Sequence, residues 1–250
     1  MPDEPTSAGI WNYWMGGTDN TAADRAVGDE VASVYPEAFT LARQCRLFSI
    51  RAVRYLAGEA GVRQFLDVGT GLPTVENTHE TAQGVAPDAA VVYVDNDPLV
   101  IEHGRRVLTA EPPRGPAWFL PGDLRDPVAL LADAGELIDL REPVAVLLMG
   151  VLGHFPDVVE AKALIRTLLS GLAPGSHLAF YTATSTSEQM QAGSSKERDA
   201  GVLYALSAVS DLESLVAGLE LVEPGLVPVS LWRPPQPAEP IDAYGVVARI

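Results

Sequence analysis

Five short runs of almost unbroken apolar residues, QFLDV (64–68), AVVYV (90–94), AWFLP (117–121), VAVLLMG (144–150) and HLAFYT (177–182), recur between stretches of helical spacing. A strand with one face in water alternates apolar and polar residues. A continuous apolar run needs cover on both faces, which parallel strands joined by helical crossovers receive. The intervening text supplies those crossovers: a helix after Pro73, one from Pro98 to Leu108, a short one near 127–132 and one from Asp157 to Leu172. Right-handed crossovers wind such a sheet in both directions from its centre, a Rossmann-like order. After a helical stretch near 196–217, two further strands are expected at 219–232 and 243–250. The proline-rich link RPPQPAEP (233–240) lets them return as a hairpin. The expected fold is α/β, a doubly wound, mostly parallel seven-stranded sheet with an antiparallel C-terminal edge hairpin and extra N-terminal helices.

Those N-terminal helices precede the first strand. Ala22, Val27, Val31 and Val34 recur at helical spacing until Tyr35-Pro36, and a second helical run (38–61) closes at Gly58 or Gly61. Residues 1–60 therefore read as a helical cap or lid on a main domain of residues 61–250, the two forming one globular unit. No repeat of fixed period interrupts the chain.

Composition narrows the partners. Of 250 residues, 33 are acidic and 17 basic, a formal net charge of −16. Nucleic acid and anionic membrane surfaces both select basic footprints, so neither is expected as a partner. The longest apolar stretch, Pro143 to Gly153, falls short of the ~18 residues of a membrane span. The opening MPDEPTSAG lacks the basic and apolar regions of a signal peptide, and Cys45 is the single cysteine. Together these point to a reducing, cytoplasmic location. His79, His103, His154 and His177 show no ligand spacing, so no metal is expected.

The chemistry is concentrated in FLDVGTGLPT, residues 65–74. A strand ending in Asp67 runs into Gly69 and Gly71 with only threonine between them, which permits a tight turn and close approach of a ligand to the backbone. Alone, the glycine pair also describes a plain strand-to-helix turn. Asp95 then ends the second strand, 24 residues beyond Gly71, where a carboxylate faces the place of a ribose diol. Asp97 competes for that role but precedes Pro98 and suits a helix cap better. Asp123, just past the third strand, reads either as an acceptor for an adenine amine or as a turn or cap. The adjoining Asn96 and Leu124 belong to the same expected contact surface. A dinucleotide site would place a third glycine at Thr74, and a Tyr-x-x-x-Lys pair is missing, the only lysines being Lys162 and Lys196. An NAD-dependent oxidoreductase is therefore the weaker reading of this layout.

The spacing Asp67-x-Gly69-x-Gly71 resembles the first motif of class I S-adenosylmethionine-dependent methyltransferases. Together with IWNYWMGGTDNTAADR (10–25), VVYVDNDP (91–98), PGDLRDP (121–127), VAVLLMGVLGHFPD (144–157), LAPGSHLAF (172–180) and LELVEPGLVPVSLWRP (219–234), it is similar to a bacterial S-adenosyl methyltransferase family formerly catalogued as a domain of unknown function. The resemblance covers nearly the whole chain. It implies S-adenosyl-L-methionine as cofactor, with Asp67 helping to orient its cationic amino-acid end, and leaves the acceptor open. Pro73 stands where the common pattern has a glycine. The fourth strand ends in MGVLGHF without the Pro-Pro-aromatic signature of enzymes that methylate nucleic-acid amines, which agrees with a small-molecule acceptor.

Outside the cofactor motifs, signals are sparser. His154, after the fourth strand, reads as a base or acceptor contact, or as a capping or packing histidine. Tyr181 reads as a pocket or a core residue, His79 and Cys45 as packing. Trp11, Tyr13 and Trp14, followed by Gly16-Gly17, Asp19 and Asn20, either dock the N-terminal helices or roof the cofactor and acceptor as a lid. Asp19 and Asp24 either reach the acceptor or cap the helix that starts near Thr21. Methyl transfer asks mainly for proximity and water exclusion, so weak catalytic signals fit an enzyme. They also fit a binding or regulatory protein that keeps the fold without catalysis.

Overall fold

The computed structural model describes residues 4–73 and 76–250. Three helices, α1 (Ser7–Trp14), α2 (Ala22–Val34) and α3 (Ala38–Gly58), precede the first strand, β1 (Gln64–Val68). Strands and helices then alternate: α4 (Thr78–Val85), β2 (Ala90–Asp95), α5 (Pro98–Ala110), β3 (Ala117–Pro121), α6 (Pro127–Ala134), β4 (Val144–Met149), α7 (Val158–Ser170) and β5 (His177–Ala183). The chain closes with α8 (Glu188–Asp199), α9 (Val209–Leu215), β6 (Glu220–Leu221), β7 (Val227–Pro228) and β8 (Ala243–Arg249).

One sheet results, in the order β3-β2-β1-β4-β5-β8-β6, with β7 also paired to β8. The first five strands are parallel, and β8 inserts antiparallel against β5. Successive side chains leave a strand on opposite faces, and both faces are dry. Phe65, Tyr93, Leu147 and Tyr181 pack on the side of α1–α3, while Leu66, Val94, Leu148 and Phe180 pack on the side of α6, α7 and α9. Cover on both faces explains why the strands read as unbroken apolar runs.

The structure departs from the sequence expectation at two places. The run 219–232 is not one strand: Pro224, Gly225 and Pro228 interrupt it, leaving two two-residue pairings and a 3₁₀ turn at Val229–Leu231. The helical stretch near 196–217 is split, because α8 begins earlier, at the Ser187 cap, and stops before Gly201, whose φ is +83°.

The helical cap is fastened through a buried carboxylate. Asp24 is 2% exposed. It accepts from the Thr6 backbone N–H at 2.8 Å and the Thr21 backbone N–H at 2.7 Å, while the Thr21 hydroxyl accepts from the Asp24 N–H at 3.1 Å, a reciprocal cap on α2. Gly9 makes the approach possible, since a Cβ there would lie 2.3 Å from the carboxylate. Because the two backbone donors occupy different oxygens, Asp24→Asn must turn its amide N–H₂ against one of them. We expect a loss of roughly 1.5–3 kcal/mol, about 3–12 °C in melting temperature for a chain this size. Thermal denaturation with no shift would show that the clamp contributes nothing.

Candidate active site

The order of the sheet reverses between β1 and β4, and in open α/β sheets the crevice beyond the strand C-termini at such a point is where ligands bind. A cavity of about 520 Å³ lies there, walled by the loops after the strands, by α1 and by α8. It has two differently built ends.

At the first end the backbone turns sharply after β1. Gly69 and Gly71 have φ of +70° and +65°, a region that disfavours side chains, and a Cβ on Gly69 would strike Val151 at 2.5 Å. The N–H groups of Gly69 and Thr70 donate to the Val94 carbonyl at 2.8 and 3.2 Å, curling the turn over the end of β2. There Asp95 receives the Gly71 N–H on one carboxylate oxygen and the Asp97 N–H on the other, both at 2.9 Å. Burial pushes the Asp95 pKa above the ordinary carboxylate value, and these N–H donors oppose the shift. Asp97 accepts from the Leu99 N–H at 2.8 Å and caps α5, with Pro98 as its first residue.

Asp67 lies beneath the turn, its carboxylate taking the Thr78 hydroxyl at 2.6 Å, which ties β1 to the start of α4. Burial lifts its pKa to about 6 against the pull of Thr78 and Arg46. Asn96 donates to Asp123 at 3.0 Å, bridging the ends of β2 and β3. Partial burial raises the Asp123 pKa, but the Arg125 backbone N–H, Asn96 and the Arg125 guanidinium outweigh it and leave a net lowering. Leu124 is buried and completes this wall. Thr74, in the place of a third glycine, lies outside the described residues.

The second end is aromatic. Trp11 and Tyr181 stack at 6.2 Å between ring centroids, and Trp11 meets Trp14 edge-on at 5.9 Å. His154 sits exposed at the mouth, in the 3₁₀ turn Leu152–His154, with its ring edge-on to Tyr204 at 5.3 Å. Its Nδ1 is 3.1 Å from the Leu203 carbonyl. A carbonyl only accepts, so Nδ1 carries the proton and Nε2 keeps a free lone pair. Desolvation of its inner side pulls the imidazole pKa below the ordinary value, Arg125 pulls the same way, and the Leu203 carbonyl and Asp95 oppose.

Of the opening segment, Trp11 and Trp14 face the cavity and Tyr13 does not, since residues three apart share a helix face and the one between turns away. The Tyr13 hydroxyl donates to Asp29 at 2.7 Å and its ring packs edge-on against Phe39. Asp19 lies 3.5 Å from His103, and Asn20 donates to the Asn12 side chain and the Gly17 carbonyl, each at 2.8 Å, bracketing the glycine turn. These three stand outside the cavity lining. His79 binds Tyr93 through both its N–H and its ring, and Cys45 is a buried free thiol.

Arg46, Tyr204 and Glu197 are among the lining residues that were not singled out from the sequence. Arg46 reaches in from α3 and donates to the Glu76 carbonyl. Tyr204 and Glu197 come from the segment whose helix begins earlier than its text suggests. With α8 in its true register, Met190, Gly193, Ser194 and Glu197 fall at i, i+3, i+4 and i+7, a single face. Burial pushes the Glu197 carboxyl up to about 7. Its unfolded value is about 4.3, so its favourable contribution is complete only below that value and is lost as pH rises through 7. Glu197→Gln should therefore raise the melting temperature more at pH 8 than at pH 5. Equal shifts at the two pH values would refute the desolvated carboxylate.

No functionally curated protein matches the chain. A model of the S-adenosyl methyltransferase family matches residues 2–250. A solved structure from Thermobifida fusca YX is 36% identical, covering 98% of this chain and 95% of its own, with a TM-score of 0.90. A DUF574 family protein from Streptomyces avermitilis MA-4680 is also 36% identical, covering 99% and 98%, with a TM-score of 0.92. An O-methyltransferase family 2 protein from Planctomyces limnophilus DSM 3776, solved with apigenin, shares the fold at 16% identity, covering 92% and 66%, with a TM-score of 0.53. The chain belongs to the S-adenosyl methyltransferase family, and S-adenosyl-L-methionine is its methyl donor.

Proposed function

We propose that the enzyme methylates a small organic acceptor held between the glycine turn and the His154 wall. The observation that carries this is the continuity of the cavity, which joins the carboxylate-lined end to the aromatic end within about 520 Å³. That volume lies in the ~300–1,000 Å³ range of small-molecule sites. The net charge of −16 supports the same choice over a nucleic acid. Among the described residues no helix is long and apolar enough to cross a membrane.

The first end suits the donor. Each Asp95 oxygen accepts one backbone N–H and retains lone pairs for a ribose diol. Gly69 and Gly71 keep the turn free of side chains, and Asn96, Asp123 and Leu124 border the place of an adenine. Asp67 and Arg46 offer opposite charges to an amino-acid end that itself carries both. Bound S-adenosylmethionine would supply an electrophilic methyl on a sulfonium, with the thioether S-adenosylhomocysteine as the leaving group, so the protein's tasks are alignment and exclusion of water. Trp11 and Trp14 on α1, with Gly16-Gly17 as a hinge, serve the second task as a lid. His154 Nε2 accepts a proton from the nucleophile.

Asp95→Ala should weaken S-adenosylhomocysteine binding by roughly 10- to 150-fold in titration calorimetry, the worth of charged hydrogen bonds in a buried site. A folded variant that binds as well as the parent would move the ribose contact elsewhere.

With labelled S-adenosylmethionine, methyl groups should enter the dialysable small-molecule fraction of a cell extract and not total RNA or genomic DNA at low salt. Label in nucleic acid would overturn the proposal. On an acceptor identified this way, kcat/KM should fall on the acid side through a pKa below the ~6.5 of free histidine, because only neutral His154 accepts a proton. His154→Gln should cost ~10²-fold or more and erase that limb. A profile unchanged by the substitution would exclude His154 as the base.

A further inference from the structure

Glu197 differs from every other charged group on the cavity. Arg46, Asp67, Asp95, Asp97, Asp123 and Arg125 sit on α3 or at the ends of the first three strands, where the donor's polar groups belong. Glu197 stands on the other wall, on the face of α8 that presents Met190 and Ser194 to the cavity. Its sequence neighbours Lys196 and Arg198 point about 100° to either side of it around the helix and do not line the cavity. No hydrogen bond or ion pair engages its carboxylate among the described residues. The α8 C-terminus is nonetheless held, because the Glu197 carbonyl accepts from Val202 N–H at 2.9 Å, and Ser194 binds the Tyr204 carbonyl at 3.4 Å. Tyr204 in turn lies edge-on to His154 and binds Thr182 at 3.2 Å, so this wall continues to the candidate base.

We infer that the acceptor is a flat, largely apolar molecule with a basic nitrogen, its ammonium or N–H group docking on the Glu197 carboxylate while its rings pack among Trp11, Trp14, Tyr181 and Tyr204. This rests on the small-molecule reading above. A half-buried carboxylate with no partner is costly to keep charged, as its pKa of about 7 records. An amine offsets that cost through a charge-assisted hydrogen bond, and aromatic faces attract the same cation. A neutral alcohol of equal shape lacks the charge, and an anion is repelled. The negative charge of the whole chain favours the encounter of a cation in the same sense.

The test uses titration calorimetry at pH 8 with saturating S-adenosylhomocysteine and two matched sets of probes: tryptamine, tryptophol and indole-3-acetate, then phenethylamine, 2-phenylethanol and phenylacetate. In at least one set the amine should bind about tenfold or more tighter than the alcohol, and the acid should bind least. Glu197→Gln should abolish that order while leaving S-adenosylhomocysteine affinity unchanged. No amine preference in either set, or a preference that survives Glu197→Gln, overturns the inference and leaves the small-molecule reading standing. Label transferred to nucleic acid would overturn that reading instead, whatever the amines do.

Discussion

The Asp95 carboxylate holds the working end of this molecule in shape. Its two oxygens take the N–H groups of Gly71 and Asp97, so one side chain at the end of β2 fixes both the turn that follows β1 and the start of α5. Backbone N–H groups buried without partners are costly, and in this turn of two positive-φ glycines the Gly71 N–H finds its acceptor on Asp95. The two N–H donors favour the ionised carboxylate, while burial, the larger effect, leaves its pKa raised. The same contact therefore shapes the loop and sets an acceptor at the cavity. Every other feature of the donor end is placed relative to it, with Asp67 below the turn and the Asn96–Asp123 pair beside it.

The sheet makes that arrangement possible by being dry on both sides. Alternate residues of β1 and β2 go to opposite cores, and the two acids Asp67 and Asp95 leave the strands on the same face as Phe65 and Tyr93. That face is the one covered by α1–α3. Since α1, the end of α2 and the first half of α3 lie over the strand C-termini, they share walls with the cavity, and α1 is buried through Ile10 and Trp14 while Trp11 and Trp14 line the cavity.

How far the sequence could reveal this follows from which interactions are local. The apolar runs, the glycine turn and the Asp97-Pro98 cap are all written in stretches of a few residues, and each is found at its expected place, while of the two readings of Asp24 the structure realises the helix cap with Thr21. The broken run at 219–232 was misread because its apolar content is that of a strand, while Pro224 and Pro228 remove ladder donors. Glu197, Tyr204 and Arg46 were invisible for a different reason. Each becomes a cavity residue only through the packing of α3, α8 and the segment that follows α8 on the rest, and α8 itself is so polar that its inward face carries little apolar signal. Within residues 10–25, a helical count assigns Trp11 and Trp14 to one face. The destinations of Tyr13, Asp19 and Asn20, however, depend on Asp29, His103 and Asn12.

The two ends of the cavity also divide the chemistry. A sulfonium donor brings its own leaving group, so what remains for the protein is to hold two molecules in line and dry. The donor end does this with fixed hydrogen bonds, the other with aromatic surface, whose large rigid side chains exclude water at little entropic cost. Surface of that kind discriminates weakly by itself, because apolar contact rewards any ring of suitable size. Selectivity at such an end has to come from the polar groups set into it, and the ring of His154 and the carboxylate of Glu197 are among these. Tyr204 lies beside His154 along one wall and continues it toward Glu197, and His154 and Glu197 are the two groups to which we assign proton acceptance and the docking of positive charge.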